Sequence, residues 1–510
     1  MPILLPMLWI ALHLPQLPLD AALRCRLRHI SCEPDPFADA PIVICERQVA
    51  GWCNQLAEDA GIRAGMSEAS ARALAAGLQT LQRDTGQEAR ALQEAALWCL
   101  HFTPHVVLKP DGLLLEISAS LRLFGGHQRI ATQLLGGLLE LGLQARLASA
   151  ATAGAAWLRA QSNGISKVFA HDGDINEALD PLPLHVLDSA QVHLETLDGI
   201  GCRRLGELRQ LPRAGVARRF GQALLSELDR AYGTEAEAHL WFEAPVIFDV
   251  KLELPARVEN TEALLFAARR LLLQLTGWLS ARHAAVAGIT LCLHHESSRQ
   301  RDHRRTNVSI MLGMPSRDID HLALLLRERM AQLELIAPVI EISLKAEQIT
   351  AQAAPNTELF PTPTSDAENT GRLVERLQSR LGHEAVRQLS VFADHRPEKS
   401  ILSSVLSTHQ NPRRNSSDEA VDTHPPCLRP AWLLPQPLAL NTHQHKPFYQ
   451  SPLTLLTGPE RIESGWWDDA LATRDYFIAQ NEQHLLLWIF RLRTTSTVSG
   501  SGWFLHGLFA

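Results

Sequence analysis

The sequence predicts a multidomain α+β chain, and three observations carry that prediction. Residues 1–180 mix short apolar runs with Ala/Leu-rich helical stretches. Residues 246–349 read in the order β-α-β-β-α-β, and after a polar stretch the tail from about 447 turns aromatic and β-rich. At 510 residues the chain has room for three to five domains, and 46% hydrophobic against 20% charged residues supplies several cores and excludes wholesale disorder. A net charge of −7 excludes a histone-like polycation but leaves local basic surfaces open. Eight cysteines without a C-x-x-C pair argue against a zinc cage or a disulfide framework and suit a reducing cytoplasm.

The chain opens with an uncharged stretch, 1–19, that could pass for an export signal. It lacks a basic start, and Pro6, Pro15 and Pro18 interrupt any helix, so residues 8–14 read as a buried strand. Further strands are expected at 41–45, 106–108 and 113–117, with helices at 66–81, 87–99 and 130–141. No later stretch of about 18 apolar residues follows, which predicts no membrane span. Residues 181–240 read as short helices around tight turns. The segment 194–205, LETLDGIGCRRL, has helix-hairpin-helix spacing: Gly199 and Gly201 permit a tight turn whose amides can face a phosphate, and Arg203 and Arg204 follow. An ordinary helix–helix turn fits the same letters.

Residues 246–349 are the most legible. Strands at 246–254, 286–294, 307–312 and 339–344 alternate with amphipathic helices at 261–282 and 317–335, the order of a split βαβ sandwich. Between 251 and 330 there are 12 Lys/Arg against 8 Asp/Glu, and the hairpin tip at 299–305 holds Arg299, Arg301, Arg304 and Arg305. That tip is either a solvated loop or a phosphate-contacting surface. Residues 351–440 read as a Pro/Ser/Thr-rich linker with one helix at 370–389, and 441–510 as a small β-containing unit.

Several motifs fall in a recognisable order: LWIALHLPQL at the start, AGIRAGMSEASARAL (60–74), HFTPHV (101–106) and GLLLEISASLRLFGG (112–126), then the hairpin and the βαββαβ region. This order resembles the palm, fingers, thumb and little finger of Y-family lesion-bypass DNA polymerases. With the tail GPERIESGWWDD…RDYFIA…LWIF…WFLHGLF, it resembles the ImuB group of bacterial SOS mutagenesis. The resemblance implies an inactive palm-and-fingers core at 1–180, a thumb at 181–240 and a DNA-binding little finger at 246–349. A linker would follow at 351–440, and a partner-binding region at 441–510.

The family's chemistry needs two Mg²⁺ ions bridging three carboxylates, two on the first strand and an Asp–Glu pair in the second motif. Aligned on the motifs, the first strand offers Leu12 and Leu14, and the second offers Glu116 followed by Ile117. The Tyr-x-x-Arg of the family's fingers aligns with Gln55 and Glu58, and LASAATAGAAWL (147–158) contains no lysine. No catalytic residue, metal or cofactor is therefore expected. The expected function is a cytoplasmic, nucleoid-associated adaptor in SOS-induced mutagenic translesion synthesis. The rival expectation is an active translesion polymerase using Glu116 with the off-register acids Asp20 and Asp111.

The resemblance also implies partners. DNA contacts fall on Gly199, Gly201, Arg203, Arg204, Arg299, Arg301, Arg304 and Arg305, and they imply primer-template DNA. A sliding-clamp peptide is read at Asn356, Leu359 and Phe360, with 388–392 (QLSVF) close behind: it fits the letters better but ends the expected helix at 370–389. The tail implies docking to the RecA-like ImuA and to an error-prone C-family polymerase through Trp466, Trp467, Trp503, Phe504 and Phe509. The same aromatics would equally serve as the unit's own core.

Overall fold

The first strand, Trp9–His13, lies second from one edge of a four-stranded antiparallel sheet. It pairs with Gly112–Glu116 on one side and Arg146–Ala150 on the other, and Val106–Lys109 completes the order. Both faces of this strand are covered, which is why it reads as an unbroken apolar run. Ile10 and Leu12 pack toward helices Thr85–Cys99 and His127–Glu140, whereas Trp9 and Ala11 pack toward Ala153–Gln161. This is a computed structural model, and it describes residues 7–24, 40–162, 175–296, 304–351, 363–406, 429–468, 470–493 and 502–509.

A separate three-stranded sheet, Ile42–Glu46, Val49–Cys53 and Gln79–Gln82, closes over a small core of Val43, Ala50, Ala57 and Ile62. The helix expected over 66–81 is shorter, Glu68–Leu74. Gly77 takes φ +83° and releases the chain to pair in parallel with Ile42–Glu46. Helices Leu194–Gly199, Leu205–Gln210, Arg213–Phe220 and Gln222–Tyr232 then pack Leu197, Leu205, Leu208, Leu224 and Leu228 into one core with Ala153–Gln161.

The β-α-β-β-α-β region forms as expected. Strands Asp249–Val258, Ala284–His295, Arg305–Ser316 and Val339–Ala351 make one antiparallel sheet, joined by helices Thr261–Ala281 and Ile319–Met330. The first helix is not simply amphipathic. Most of its residues are buried because it packs on its own sheet and also on helix Thr85–Cys99. At the crossing, a Cβ on Gly277 would lie 1.7 Å from the Leu97 carbonyl oxygen, so the two backbones touch. Leu97 and Trp98 thereby share one continuous core with Leu271, Leu275 and Trp278.

The helix expected at 370–389 runs instead over Pro363–Leu381 and stops at Gly382, φ +92°. It is tied down by Glu375, which accepts from His321 Nε2 at 2.7 Å and from the Gly313 N–H at 2.6 Å. Residues Arg387–Val391 form a strand paired with Ile401–Val405, so the placement of 388–392 on a helix is corrected.

Contacts divide the chain into Met1–Arg380 and Leu381–Ala510. The second unit carries a five-stranded antiparallel sheet in the order Trp432–Ala439, Trp503–Leu508, Leu486–Leu492, Ala472–Gln480, Thr454–Ser464. Its core stacks Tyr476 on Trp488 at 4.0 Å, and the Tyr476 hydroxyl meets His506 Nδ1 at 2.8 Å. Strand Trp432–Ala439 lies in the stretch read as linker.

Candidate functional site

The four-stranded sheet that holds Trp9–His13 decides which side chains meet. Its register sets Trp9 opposite Glu116 and His13 opposite Gly112, so Glu116 stands about 14 Å along the strand from His13 at ~3.4 Å per residue. Leu12 and Leu14 are fully buried on the face covered by Thr85–Cys99 and His127–Glu140. The set Leu12, Leu14 and Glu116 is therefore not one site. Glu116 instead accepts from the Ser118 N–H at 2.9 Å and lies 3.6 Å from His105, a local structural role.

What the fold brings to the end of the first strand is His13 and Asp111. The turn ahead of Gly112–Glu116 is pinned there because Leu14 N–H donates to the Asp111 carbonyl at 2.8 Å. Asp111 Oδ2 then sits 3.1 Å from His13 Nε2, and the Trp157 ring meets His13 edge-on at 5.8 Å. The neighbour of Asp111 is Gly112, where a Cβ would lie 2.1 Å from the Leu12 carbonyl and 2.9 Å from the Trp157 ring. A second carboxylate has no room beside the first. Of the acids in this stretch, Asp111 rather than Glu116 is the one the register sets beside the end of the first strand. Sequence reasoning missed it because an antiparallel register cannot be read from spacing alone.

A cleft of about 660 Å³ opens beside this pair, lined by Trp52, Arg83, Lys109, Asp111, Trp157 and Glu227 among others. Burial and the nearby Glu227 and Asp111 carboxylates push Asp188, on the same cleft, above the usual carboxylate range. Lys109, Arg83 and Arg230 line the same cleft, so its acids and cations are mixed. Arg83, beside the small three-stranded sheet, is already engaged by Glu88 and Glu46 and lies 4.8 Å over Trp52. Glu58, aligned with the family's phosphate clamp, lies in helix Gln55–Asp59, where its carbonyl accepts from Arg63. Among the described residues, no group of three or more His, Cys, Asp or Glu side chains is placed to hold a metal ion.

The hairpin at 194–205 folds as two short helices with Gly199 closing the first and Gly201 in the left-handed region at φ +79°. Its turn amides are already satisfied. Ile200, Gly201 and Cys202 donate to Leu197 and Asp198 carbonyls, and the Arg203 and Arg204 N–H groups both donate to Glu207 Oε2, at 2.7 and 3.0 Å. Those two bonds hold the Glu207 carboxyl below its ordinary range. Arg203 is exposed and pairs with Asp198 at 2.6 Å, and Arg204 is also exposed. Helix Arg213–Phe220 adds the exposed Arg218 and Arg219 in its last turn, cations that the sequence reading passed over.

Arg304 and Arg305 are exposed where strand Arg305–Ser316 begins, whereas Arg299 and Arg301 lie outside the described residues. So do Asn356, Leu359 and Phe360. The second clamp peptide is described, with Leu389, Val391 and Phe392 all exposed. Trp466 and Trp467 are exposed, whereas Trp503, Phe504 and Phe509 are half-buried against the sheet's two cores. No helix among the described residues is long and apolar enough to cross a membrane.

Comparison with known proteins follows the same lines. Residues 30–161 match the model of the impB/mucB/samB family. Over 476 residues, 88% of this chain and 100% of the relative, the sequence is 29% identical to Protein ImuB of Caulobacter vibrioides, in strains NA1000 / CB15N and ATCC 19089 / CIP 103742 / CB 15. Two solved structures align along their length. A Dbh ternary complex matches at 15% identity and TM-score 0.37, covering 67% of this chain and 99% of that one. DinB from Sulfolobus solfataricus matches at 14% and 0.36, covering 68% and 100%. The resemblance read from the motifs is borne out in this form: the chain is similar to Protein ImuB along most of its length and carries an impB/mucB/samB family segment at residues 30–161.

Proposed function

We propose that this protein is a non-catalytic adaptor of damage-induced translesion synthesis. It holds primer-template DNA, a sliding clamp, an ImuA-type RecA-like protein and an error-prone C-family polymerase, and leaves nucleotide joining to the polymerase. The observation that carries the reading is the end of the first palm strand. Asp111 faces His13 and is followed by Gly112, in a pocket wall where any second carboxylate would collide with the Leu12 carbonyl. One carboxylate cannot organise two hard cations against their hydration.

DNA contacts are assigned to the exposed Arg203, Arg204, Arg304 and Arg305, joined by Arg218 and Arg219. The hairpin amides are occupied by Glu207, so this surface grips phosphates through side chains rather than through its turn. The clamp is assigned to 356–360, and the exposure of Leu389 and Phe392 keeps 388–392 beside it. The surviving Asp111 favours one rival, a weak polymerase. Primer extension with purified protein, Mg²⁺ and all four dNTPs separates the two. The adaptor yields no product above a no-enzyme control, and template-dependent extension abolished by Asp111→Ala would overturn it.

A further inference from the structure

The stretch 235–242 lies between helix Gln222–Tyr232 and strand Asp249–Val258 and has neither helix nor strand of its own. It is pinned to the edge of the first sheet, where the Phe242 N–H donates to the Val106 carbonyl at 2.7 Å. That bond lays His239 and Trp241 against Trp9, at the opposite end of the first strand from His13. A cavity of about 500 Å³ opens there. Its wall is aromatic. The Trp9 and Trp241 rings lie within 11° of parallel with centroids 6.1 Å apart, His239 sits 4.7 Å from Trp9, and His105 sits 4.8 Å from Trp241. Trp9 is buried, whereas Trp241 stays 42% exposed, so the wall faces solvent on one side.

The polar groups of this cavity are only loosely engaged. Glu237 Oε1 has Lys109 Nζ and His239 Nδ1 each at 3.9 Å, and Glu235 has Arg230 at 3.5 Å. Glu116 gives one oxygen to the Ser118 N–H and leaves the other 3.6 Å from His105 Nδ1. A satisfied pair elsewhere in the chain is shorter, as where Arg83 reaches Glu88 at 2.7 and 2.8 Å. The His239 side chain is only 9% exposed, yet among the described residues no hydrogen bond reaches either ring nitrogen. Burial pushes its pKa down, so the ring is neutral and keeps one donor and one acceptor for a guest. Leaving such a buried ring unpaired is costly, which points to a group that fills the space beside it.

Among the lining residues, Glu116, Glu235 and Glu237 face a single cation, Arg230, which disfavours a phosphate-bearing guest. Aromatic faces attract cations. A planar guanidinium both stacks on tryptophan and forks onto a carboxylate, which a compact ammonium does not. We propose that this cavity is a guanidinium-binding site, with Trp9 and Trp241 as its stacking wall and Glu237 as its carboxylate acceptor. The group arrives on a free alkylguanidinium or on an arginine side chain of another protein. The site needs neither the adaptor reading nor any contact with DNA.

Isothermal titration of the full chain tests this with two probes, agmatine and the capped tripeptide acetyl-Gly-Arg-Gly-amide. At least one should bind, and its uncharged mimic, with urea in place of guanidinium, should bind about tenfold more weakly. Trp241→Ala and the milder Glu237→Gln should each weaken binding about tenfold, and Glu237→Gln should keep the wild-type urea midpoint. Binding of the peptide identifies a protein's arginine as the guest, and binding of agmatine alone identifies a free guanidinium. Equal affinity for the uncharged mimics would overturn the cationic guest. Affinity unmoved in both variants would overturn the location. No binding of either probe would overturn the site, and so would binding only by a chain that lacks residues 1–6, since that segment would then be the occupant.

Discussion

His101 shows how a single side chain records an interface. Its ring stacks flat on Trp98 at 5.5 Å and 9°, and its Nδ1 lies 3.1 Å from Ser280 Oγ on the long helix of the βαββαβ domain. Burial, with a smaller contribution from the Arg317 charge, pushes its pKa down to about 4. The unfolded imidazole titrates near 6.5, so between those values the unfolded chain binds the proton and the folded one does not. Stability is complete above about pH 6.5 and falls as pH drops toward 4, by about 3 kcal/mol at most. Urea midpoints at pH 7.5 and 5.0 should differ for this protein, and His101→Gln should narrow that difference. The sequence names HFTPHV as a family motif, but it gives no sign that His101 is buried against a residue 179 positions away. Asp111 was obscure for a similar reason, because only the strand register places it beside His13. Arg203, Arg204, Arg304 and Arg305 are exposed, whereas the exposed Arg218 and Arg219 were passed over because nothing in the letters ties them to the hairpin.

At the scale of elements, periodicity located most helices and strands, and errors gathered where tertiary contact overrides local pattern. Helix Thr261–Ala281 reads as amphipathic by letters, yet the second layer it meets is another helix rather than water. The register of Gly277 over the Leu97 carbonyl explains the exclusion of a side chain at that one turn. Gly277→Val should cost more than about 3 kcal/mol, because the atom in the way is backbone and no rotamer change can relieve it. Thermal or urea unfolding would measure the loss, and a Gly136→Val chain, where a Cβ meets nothing within 4 Å, serves as the matched control. The segment 387–391 was misread because its leucine spacing continues the helix, whereas Gly382 at φ +92° ends it. A helix period followed by a glycine can signal a stop as readily as a continuation.

For the whole chain, the −7 charge conceals how cations are distributed. If Arg304 and Arg305 contact phosphates, Arg304→Glu/Arg305→Glu should weaken binding to every DNA sequence alike. It should also flatten the plot of log affinity against log salt by about one unit per lost contact. Fluorescence anisotropy across a salt series measures both, and an unchanged slope would remove that strand end from the interface. The split βαβ order was legible at this scale because alternation and helix period survive in any context. The join between domains was not, since nothing in the letters says which apolar helix faces which. That join has a mechanical meaning. With Leu97 and Trp98 sunk into the same core as Leu271 and Trp278, and the four short helices at 194–232 sharing another with Ala153–Gln161, both flanking bodies are welded to the central sheet. Swinging either body away from the sheet would put leucine and tryptophan area into water, a cost that holds them as one block rather than as parts on hinges.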